Sequence, residues 1–267
     1  MTSSGDAGPS GSASPGSAAG RVTVGAGVPS DPADVGGMGA LGRRLWSIAL
    51  PVLPVLAAEP VYLLVDGIVV GRQGPGDLAA LGVGSLVLLV LGTQMNFLSY
   101  GTTARAARLH GAGRRSDAVA EGVQATWIAL MVGAVVVASV LALLDPLTRV
   151  LASDPSVAAR AGDWLRIAVW GIPCILVASA GHGWMRGVQR LRTPLVLVAL
   201  GVGLSTVGCL VMVPGWGPVP GLGLVGSAWA NLTGQVVMAG GFVTALVVER
   251  PGSLRPRRSV ILSQLRM

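Results

Sequence analysis

Charged side chains are scarce in this sequence. Only 12% of its 267 residues are Asp, Glu, Lys or Arg, whereas soluble domains carry about 25%. Apolar residues make up 52% of the chain and the mean hydropathy is +0.69, which excludes an ordinary water-soluble enzyme. Lysine is absent, so 19 arginines and 12 acids give the net charge of +7. These arginines lie mainly in short gaps between long apolar runs, a pattern typical of membrane proteins rather than of nucleic-acid binding.

Sequence motifs of enzymes and metal sites are also missing. The sequence contains no HExxH, GxxxxGK[ST], GxSxG or CxxC pattern. Its two cysteines, Cys174 and Cys209, lie inside apolar runs and form neither a metal-ligand spacing nor a disulfide framework. We therefore expect no enzymatic activity, no metal and no cofactor. An intramembrane enzyme ranks last among the alternatives, because no nucleophile–base pair is visible.

The apolar runs predict an all-α, polytopic membrane protein with six spans, since a helix needs about 20 apolar residues to cross the bilayer. The cluster PGWGPVPG at Pro214–Gly221 divides the last long run into two. The expected bundle occupies residues 41–249, with spans at about 45–71, 78–104, 122–144, 164–185, 193–213 and 222–248. Residues 1–40 are expected to form a disordered cytoplasmic tail rather than a signal peptide, and residues 250–267 a basic cytoplasmic connector.

The arginines also predict an orientation. Counting alternate gaps assigns 15 of the 19 arginines to one side of the membrane and four to the other. The four are Arg72, Arg149, Arg160 and Arg166. Because positive charge stays cytoplasmic, we expect both termini on the cytoplasmic side of the membrane.

Two acids lie well inside the first span. An acid at the bilayer centre costs at least about 2.5 kcal/mol, so it usually faces a cavity or a partner. Glu59 and Asp66 are seven residues apart, which places them on one helix face roughly 10 Å apart. Asp66 is therefore a candidate for binding a proton or a sodium ion; the alternative is a carboxylate that only pins neighbouring helices. Glu59 is a second candidate, or part of a helix bend with Pro60.

The remaining candidates are uncharged. Three prolines in the first span predict a bent helix, namely Pro51, Pro54 and Pro60. Amides and hydroxyls in the second and sixth spans either bridge helices or line a cavity. These cavity-lining candidates are Gln94, Asn96, Tyr100, Asn231, Thr233 and Gln235. Two GxxxG pairs, Gly67 with Gly71 and Gly183 with Gly187, predict close helix contacts.

Four segments resemble the multidrug and toxic compound extrusion (MATE) family, and its DinF-type branch most of all. They are EPVYLLVDGIVVGRQG (Glu59–Gly74), FLSYGTTARAARLHGAG (Phe97–Gly113), MRGVQRLRTPL (Met185–Leu195) and GLGLVGSAWANLTGQ (Gly221–Gln235). The resemblance implies the amino-terminal lobe of a twelve-helix antiporter that exports organic cations or other lipophilic compounds in exchange for protons or sodium. Asp66 then matches the family's first-helix aspartate.

The same resemblance indicates two departures. Ser205 and Cys209 stand where the family's fifth helix often has Asn and Asp, so a second carboxylate is missing and proton coupling is easier than sodium coupling. The chain also carries half the family's spans, so a second bundle or another copy is an expected partner besides solute and lipid, and no nucleic acid is expected. The alternative is a truncated or degenerate six-helix protein that does not transport on its own.

Overall fold

A computed structural model describes residues 53, 57–94, 97–190, 192–217 and 220–249, with the side chains of residues 94, 97 and 98 left out. The terminal segments 1–40 and 250–267, for which we expected a tail and a connector, lie outside the described residues. The described part of the chain is helical almost throughout. Its helices are α1 (57–71), α2 (Pro75–Gln94), α3 (Phe97–Gly111), α4 (Arg115–Ala142), α5 (Leu144–Leu151), α6 (Pro155–Ala168), α7 (Gly171–Gly187), α8 (Arg192–Met212) and α9 (Gly223–Val248).

Several of these helices can cross a membrane. Within the described ranges, four are long and apolar enough to do so, namely α2, α4, α8 and α9. Helices α6 and α7 make a fifth candidate if they are counted as one span bent by 49°. The bend is explained by Pro173 in the first turn of α7, because proline has no N–H to bond the carbonyl one turn earlier. The predicted all-helical membrane bundle is confirmed.

Glycines set the distance between α3 and α7. A Cβ added to Gly187 would lie 2.6 Å from Ala106 Cβ, and one added to Gly183 would collide with the backbone of Ser99. A Cβ on Gly67, by contrast, would meet nothing within 4 Å. One of the two predicted GxxxG pairs therefore makes a close contact between helix backbones, as small residues do in membrane bundles.

Ion pairs mark the two ends of the bundle. At one end, which we call the arginine-rich end, Arg105 pairs with Glu121 on α4 at 3.5 Å, and Arg190 pairs with Glu249 just after α9. At the opposite end, Arg160 on α6 pairs with Asp77 on α2 at 3.1 Å. These contacts tie neighbouring helices together. The pairs of Arg160 and Arg190 are partly exposed to water, whereas the Arg105–Glu121 pair is mostly buried.

Candidate functional site

Helix α1 has one buried and one exposed face. Tyr62, Asp66, Val69 and Val70 are buried, at spacings of three, four and seven residues that place them on one side of a helix. The apolar residues between them, such as Leu64, remain exposed, as expected for a lipid-facing surface. Asp66 is only 4% exposed. The structure therefore points this acid into the bundle.

The Asp66 carboxylate receives two hydrogen bonds from other helices. Cys209 Sγ on α8 donates to Oδ1 at 3.1 Å, and Ser227 Oγ on α9 donates to Oδ2 at 2.9 Å. Trp164 Nε1 on α6 donates in turn to Ser227 Oγ at 3.4 Å. Since a hydroxyl can donate one bond while it accepts another, the chain Trp164–Ser227–Asp66 uses each group in a compatible sense. Four helices thus meet at this carboxylate.

The charge of this carboxylate is not balanced by a cation in the described part of the chain, where no Arg or His lies within ion-pair distance of Asp66. An ionised carboxylate that is removed from water without an opposite charge is strongly disfavoured. Two donors from a thiol and a hydroxyl compensate only part of that cost, because the thiol is a weak donor. The site is consequently suited to taking up a positive ion.

A second polar contact lies one helical turn away. Asn231 Nδ2 on α9 donates to the Tyr62 hydroxyl on α1 at 3.3 Å. Asn231 follows Ser227 by four residues, and Tyr62 precedes Asp66 by four, so both pairs lie along the same α1–α9 contact. We call Asp66, Cys209, Ser227, Trp164, Tyr62 and Asn231 the Asp66 cluster.

The other predicted candidates lie at varied places around this cluster. Ser205 is buried one turn before Cys209 and packs against Gly234 of α9. Gln235 has a buried Oε1 that receives no hydrogen bond among the described residues. Thr233 is exposed and its hydroxyl donates to the Trp229 carbonyl at 2.8 Å.

Glu59 does not join the Asp66 cluster. Its side chain and that of the neighbouring Pro60 are exposed near the beginning of the described part of α1. Tyr100 on α3 is 71% exposed. The side chain of Gln94, and the whole of Asn96, Pro51 and Pro54, lie outside the described residues.

Three members of the cluster were not predicted from the sequence. Ser227 and Tyr62 could have been found by helical spacing, since each lies four residues from a predicted candidate, Asn231 and Asp66 respectively. Trp164 could not, because it is 98 residues from Asp66 in sequence and its indole N–H reaches the site only through Ser227. For metal binding, the described ranges contain no group of three or more His, Cys, Asp or Glu side chains that could hold an ion.

Comparison with known proteins connects this arrangement to a family. The sequence profile of the MatE family matches residues 51–211, more than half of the chain. The chain belongs to the MATE family. It is 27% identical over 195 residues to Multidrug resistance protein PmpM of Pseudomonas aeruginosa, and 28% identical over 215 residues to Protein DETOXIFICATION 44, chloroplastic, of Arabidopsis thaliana. These matches cover 73% and 76% of the chain, but only 40% of each relative.

Solved MATE-type structures show the same bundle. A multidrug resistance MATE family transporter of the MOP superfamily matches with a TM-score of 0.68 in its inward-facing conformation and 0.71 in its outward-facing conformation. The identities are 27% and 26%, and the matches cover 77% and 82% of this chain but 47% and 49% of the solved chains. A MOP superfamily transporter from Pyrococcus furiosus gives 0.70 at 25% identity, with 81% of this chain and 49% of that one covered. The chain therefore spans about half of a MATE transporter, is a multi-pass membrane protein and belongs to a transporter family rather than an enzyme family.

Proposed function

We propose that this chain forms the amino-terminal six-helix bundle of a cation-coupled multidrug antiporter, of the DinF-type branch, and that Asp66 carries the coupling ion. The observation on which this proposal depends is a carboxylate that is 4% exposed, points into the bundle and has two weak or neutral donors but no cationic partner among the described residues. The Glu59–Pro60 pair supports the assignment to the DinF-type branch, because it begins one of the segments that resemble this branch. Solute transport by alternating access needs two bodies that move against each other, so we propose a second six-helix bundle as partner.

The chemistry around Asp66 favours a proton over sodium. Sodium is a hard cation that, like other hard cations, prefers several oxygen ligands, whereas sulfur suits soft metals. Oδ1 of Asp66 contacts the Cys209 thiol at 3.1 Å. A second carboxylate at this position would supply oxygen ligands, whereas the thiol supplies sulfur. A proton needs a single carboxylate oxygen and no shell of ligands. We therefore propose that Asp66 releases and takes up a proton during the transport cycle.

The exported compounds are proposed to be organic cations or lipophilic drugs, by analogy with relatives that are named multidrug resistance proteins. The arginine bias supports an orientation with both termini in the cytoplasm, and a bacterial cytoplasmic membrane is proposed by analogy with the bacterial relatives. In this orientation the arginine-rich end of the bundle lies at the cytoplasmic surface. The Asn231–Tyr62 pair then continues the polar path from Asp66 along α1 and α9.

Efflux in membrane vesicles tests the proposal. The chain is assayed alone and together with a second six-helix MATE bundle, with an organic cation dye as the solute and with imposed proton or sodium gradients. We expect proton-driven efflux that is lost in Asp66→Asn and kept in Glu59→Gln, because only Asp66 lies in the buried cluster. Efflux at the normal rate from Asp66→Asn would contradict the role of this carboxylate.

A further variant addresses the coupling ion. Cys209→Asp restores a second carboxylate beside Asp66, and we expect it to add a response to sodium that the unmodified chain does not have. Sodium-driven efflux from the unmodified chain would instead refute proton coupling.

The alternative function is a bundle that transports nothing on its own. The coverage of only 40% of each of the two curated relatives favours testing this alternative. Absence of efflux with and without the second bundle would favour that alternative.

A further inference from the structure

A small cavity at the arginine-rich end is lined by a tryptophan whose buried indole N–H has no hydrogen-bond partner among the described residues. It measures about 30 Å³ and lies where α3, α4, α7 and α9 begin or end. Trp184 of α7, which is 1% exposed, lines this cavity, and its indole Nε1–H is buried without a hydrogen-bond partner among the described residues. A buried donor without an acceptor is costly. The indole N–H of Trp184 therefore favours a ligand that brings an acceptor.

The polar side chains around Trp184 are mostly donors too. Arg115, at the first residue of α4, lines the cavity and forms no ion pair with another described residue. His110 of α3 adds a ring that carries at least one N–H. The acid among the lining residues, Glu249, already pairs with Arg190. Donors thus outnumber acceptors, and this surplus favours a ligand with negatively charged oxygen atoms.

Backbone geometry holds Arg190 at the cavity. Helix α7 ends at Gly187, and Gln189, two residues later, takes a left-handed conformation with φ 61°. The next N–H, that of Arg190, turns back and donates to the Met185 carbonyl at 2.8 Å, as in the Schellman end of a helix. Because glycine or asparagine usually occupies such a position, the turn at Gln189 is held by its surroundings. It directs Arg190 toward Glu249 and the cavity rather than along the axis of α7.

We propose that this cavity binds the phosphate group of an anionic membrane lipid. One phosphate oxygen accepts from Trp184 Nε1 inside the cavity, whose volume is close to that of a single water molecule. The remaining oxygens lie at the mouth beside Arg115, since guanidinium groups bind phosphate through two parallel hydrogen bonds. A lipid is favoured over soluble phosphate because the cavity lies at the level where the helices end, and basic pockets between helix ends bind lipid headgroups.

Lipid binding to the purified full chain tests this proposal. Phosphatidylglycerol is titrated into detergent micelles, with phosphatidylcholine as the neutral comparison, and binding is counted by native mass spectrometry. We expect Trp184→Phe, which keeps the ring and removes only the N–H, to weaken phosphatidylglycerol binding by about tenfold, the range for a hydrogen bond to a charged group. Unchanged binding in this variant would overturn the proposal, and a water molecule would then satisfy the indole.

A charge-matched pair of variants guards against failure of Trp184→Phe to fold. Arg115→Gln and Arg108→Gln each remove one exposed arginine from the same end of the bundle, but only Arg115 lines the cavity. We expect binding to Arg115→Gln to be about tenfold weaker than binding to Arg108→Gln. Equal losses would overturn the site, because they would reflect net charge alone. Inorganic phosphate that binds in phosphatidylcholine micelles and displaces phosphatidylglycerol would overturn the lipid as the source of the phosphate.

Discussion

The close approach of α3 and α7 gives the sharpest prediction about stability. In Gly187→Ala, the new methyl group would lie 2.6 Å from Ala106 Cβ and 2.9 Å from both Ala107 N and Thr103 O. Favourable contacts between carbon atoms lie at about 3.5–4.0 Å. Two of these three neighbours are backbone atoms, which cannot rotate away as a side chain can. The two helices must therefore separate by about 1 Å at this point.

The cost follows from two opposing terms. Overpacking of this kind destabilises by about 1–3 kcal/mol, while replacing glycine by alanine inside a helix stabilises by about 1 kcal/mol. Since the collision is with backbone, we expect the upper part of the first range and a net loss of about 1–2 kcal/mol for Gly187→Ala. Gly67→Ala has the favourable term alone, because its methyl group would meet nothing within 4 Å. Gly67→Ala is the matched control, because Gly67 belongs to the other predicted GxxxG pair.

Unfolding of the purified chain in mixed micelles, titrated with sodium dodecyl sulfate and followed by circular dichroism, measures both variants. We expect a lower midpoint for Gly187→Ala, and an unchanged or higher one for Gly67→Ala. Equal midpoints for the two variants would refute the assignment of Gly187 to a backbone contact. They would also show that the GxxxG spacing by itself, and not the contact, determines the effect.

Two further predictions concern the ends of the bundle. Glu121→Ala removes the carboxylate from the mostly buried ion pair with Arg105, so we expect a loss of about 2–4 kcal/mol in the same titration. Asp117→Ala, in the exposed pair with Arg114, should cost less than about 1 kcal/mol, and similar losses in the two variants would contradict the difference in burial. Asp154 caps α6 by accepting from Ser156 N at 2.7 Å, and this hydrogen bonding lowers the pKa of the Asp154 carboxyl. Because its pKa is lower in the folded than in the unfolded chain, the Asp154 carboxylate stabilises the fold at pH values above the unfolded pKa of about 3.9. This stabilisation is lost as the pH falls through the folded-state pKa. The stability difference between the unmodified chain and Asp154→Asn should therefore shrink on acidification. A difference that grows toward acid would contradict this prediction.

The sequence predicted an all-helical membrane bundle because the length of the apolar runs is enough to decide this class of fold. The last two expected spans, 193–213 and 222–248, compare with helices at Arg192–Met212 and Gly223–Val248. The break within the expected span 164–185 was not foreseen, although Pro173 supplies its reason. Helix α5, only eight residues long with Asp145 and Arg149, is too short and polar to be recognised as a span.

Of the candidate site, Asp66 was the residue that the sequence by itself indicated most clearly. Asp66 stands out in the sequence because a lone acid in a membrane helix needs a reason. Its donor Ser227 does not, since serine is common in such helices and this one lies 161 residues away. Its donor Cys209, 143 residues away, was singled out only through the family resemblance. Glu59 has the same helical phase as Asp66, but it is exposed because burial depends on which helices surround each turn, which spacing alone cannot predict.

The most direct test of the central claim is whether Asp66 itself exchanges a proton. Infrared difference spectra of the reconstituted chain, recorded between alkaline and acidic buffers, report the carbonyl stretch of protonated carboxyl groups. We expect a band that is present in the unmodified chain and in Glu59→Gln and absent in Asp66→Asn, and that shifts in Ser227→Ala because one hydrogen bond to the carboxyl is lost. A spectrum of Asp66→Asn identical to that of the unmodified chain would contradict the assignment of proton exchange to this residue.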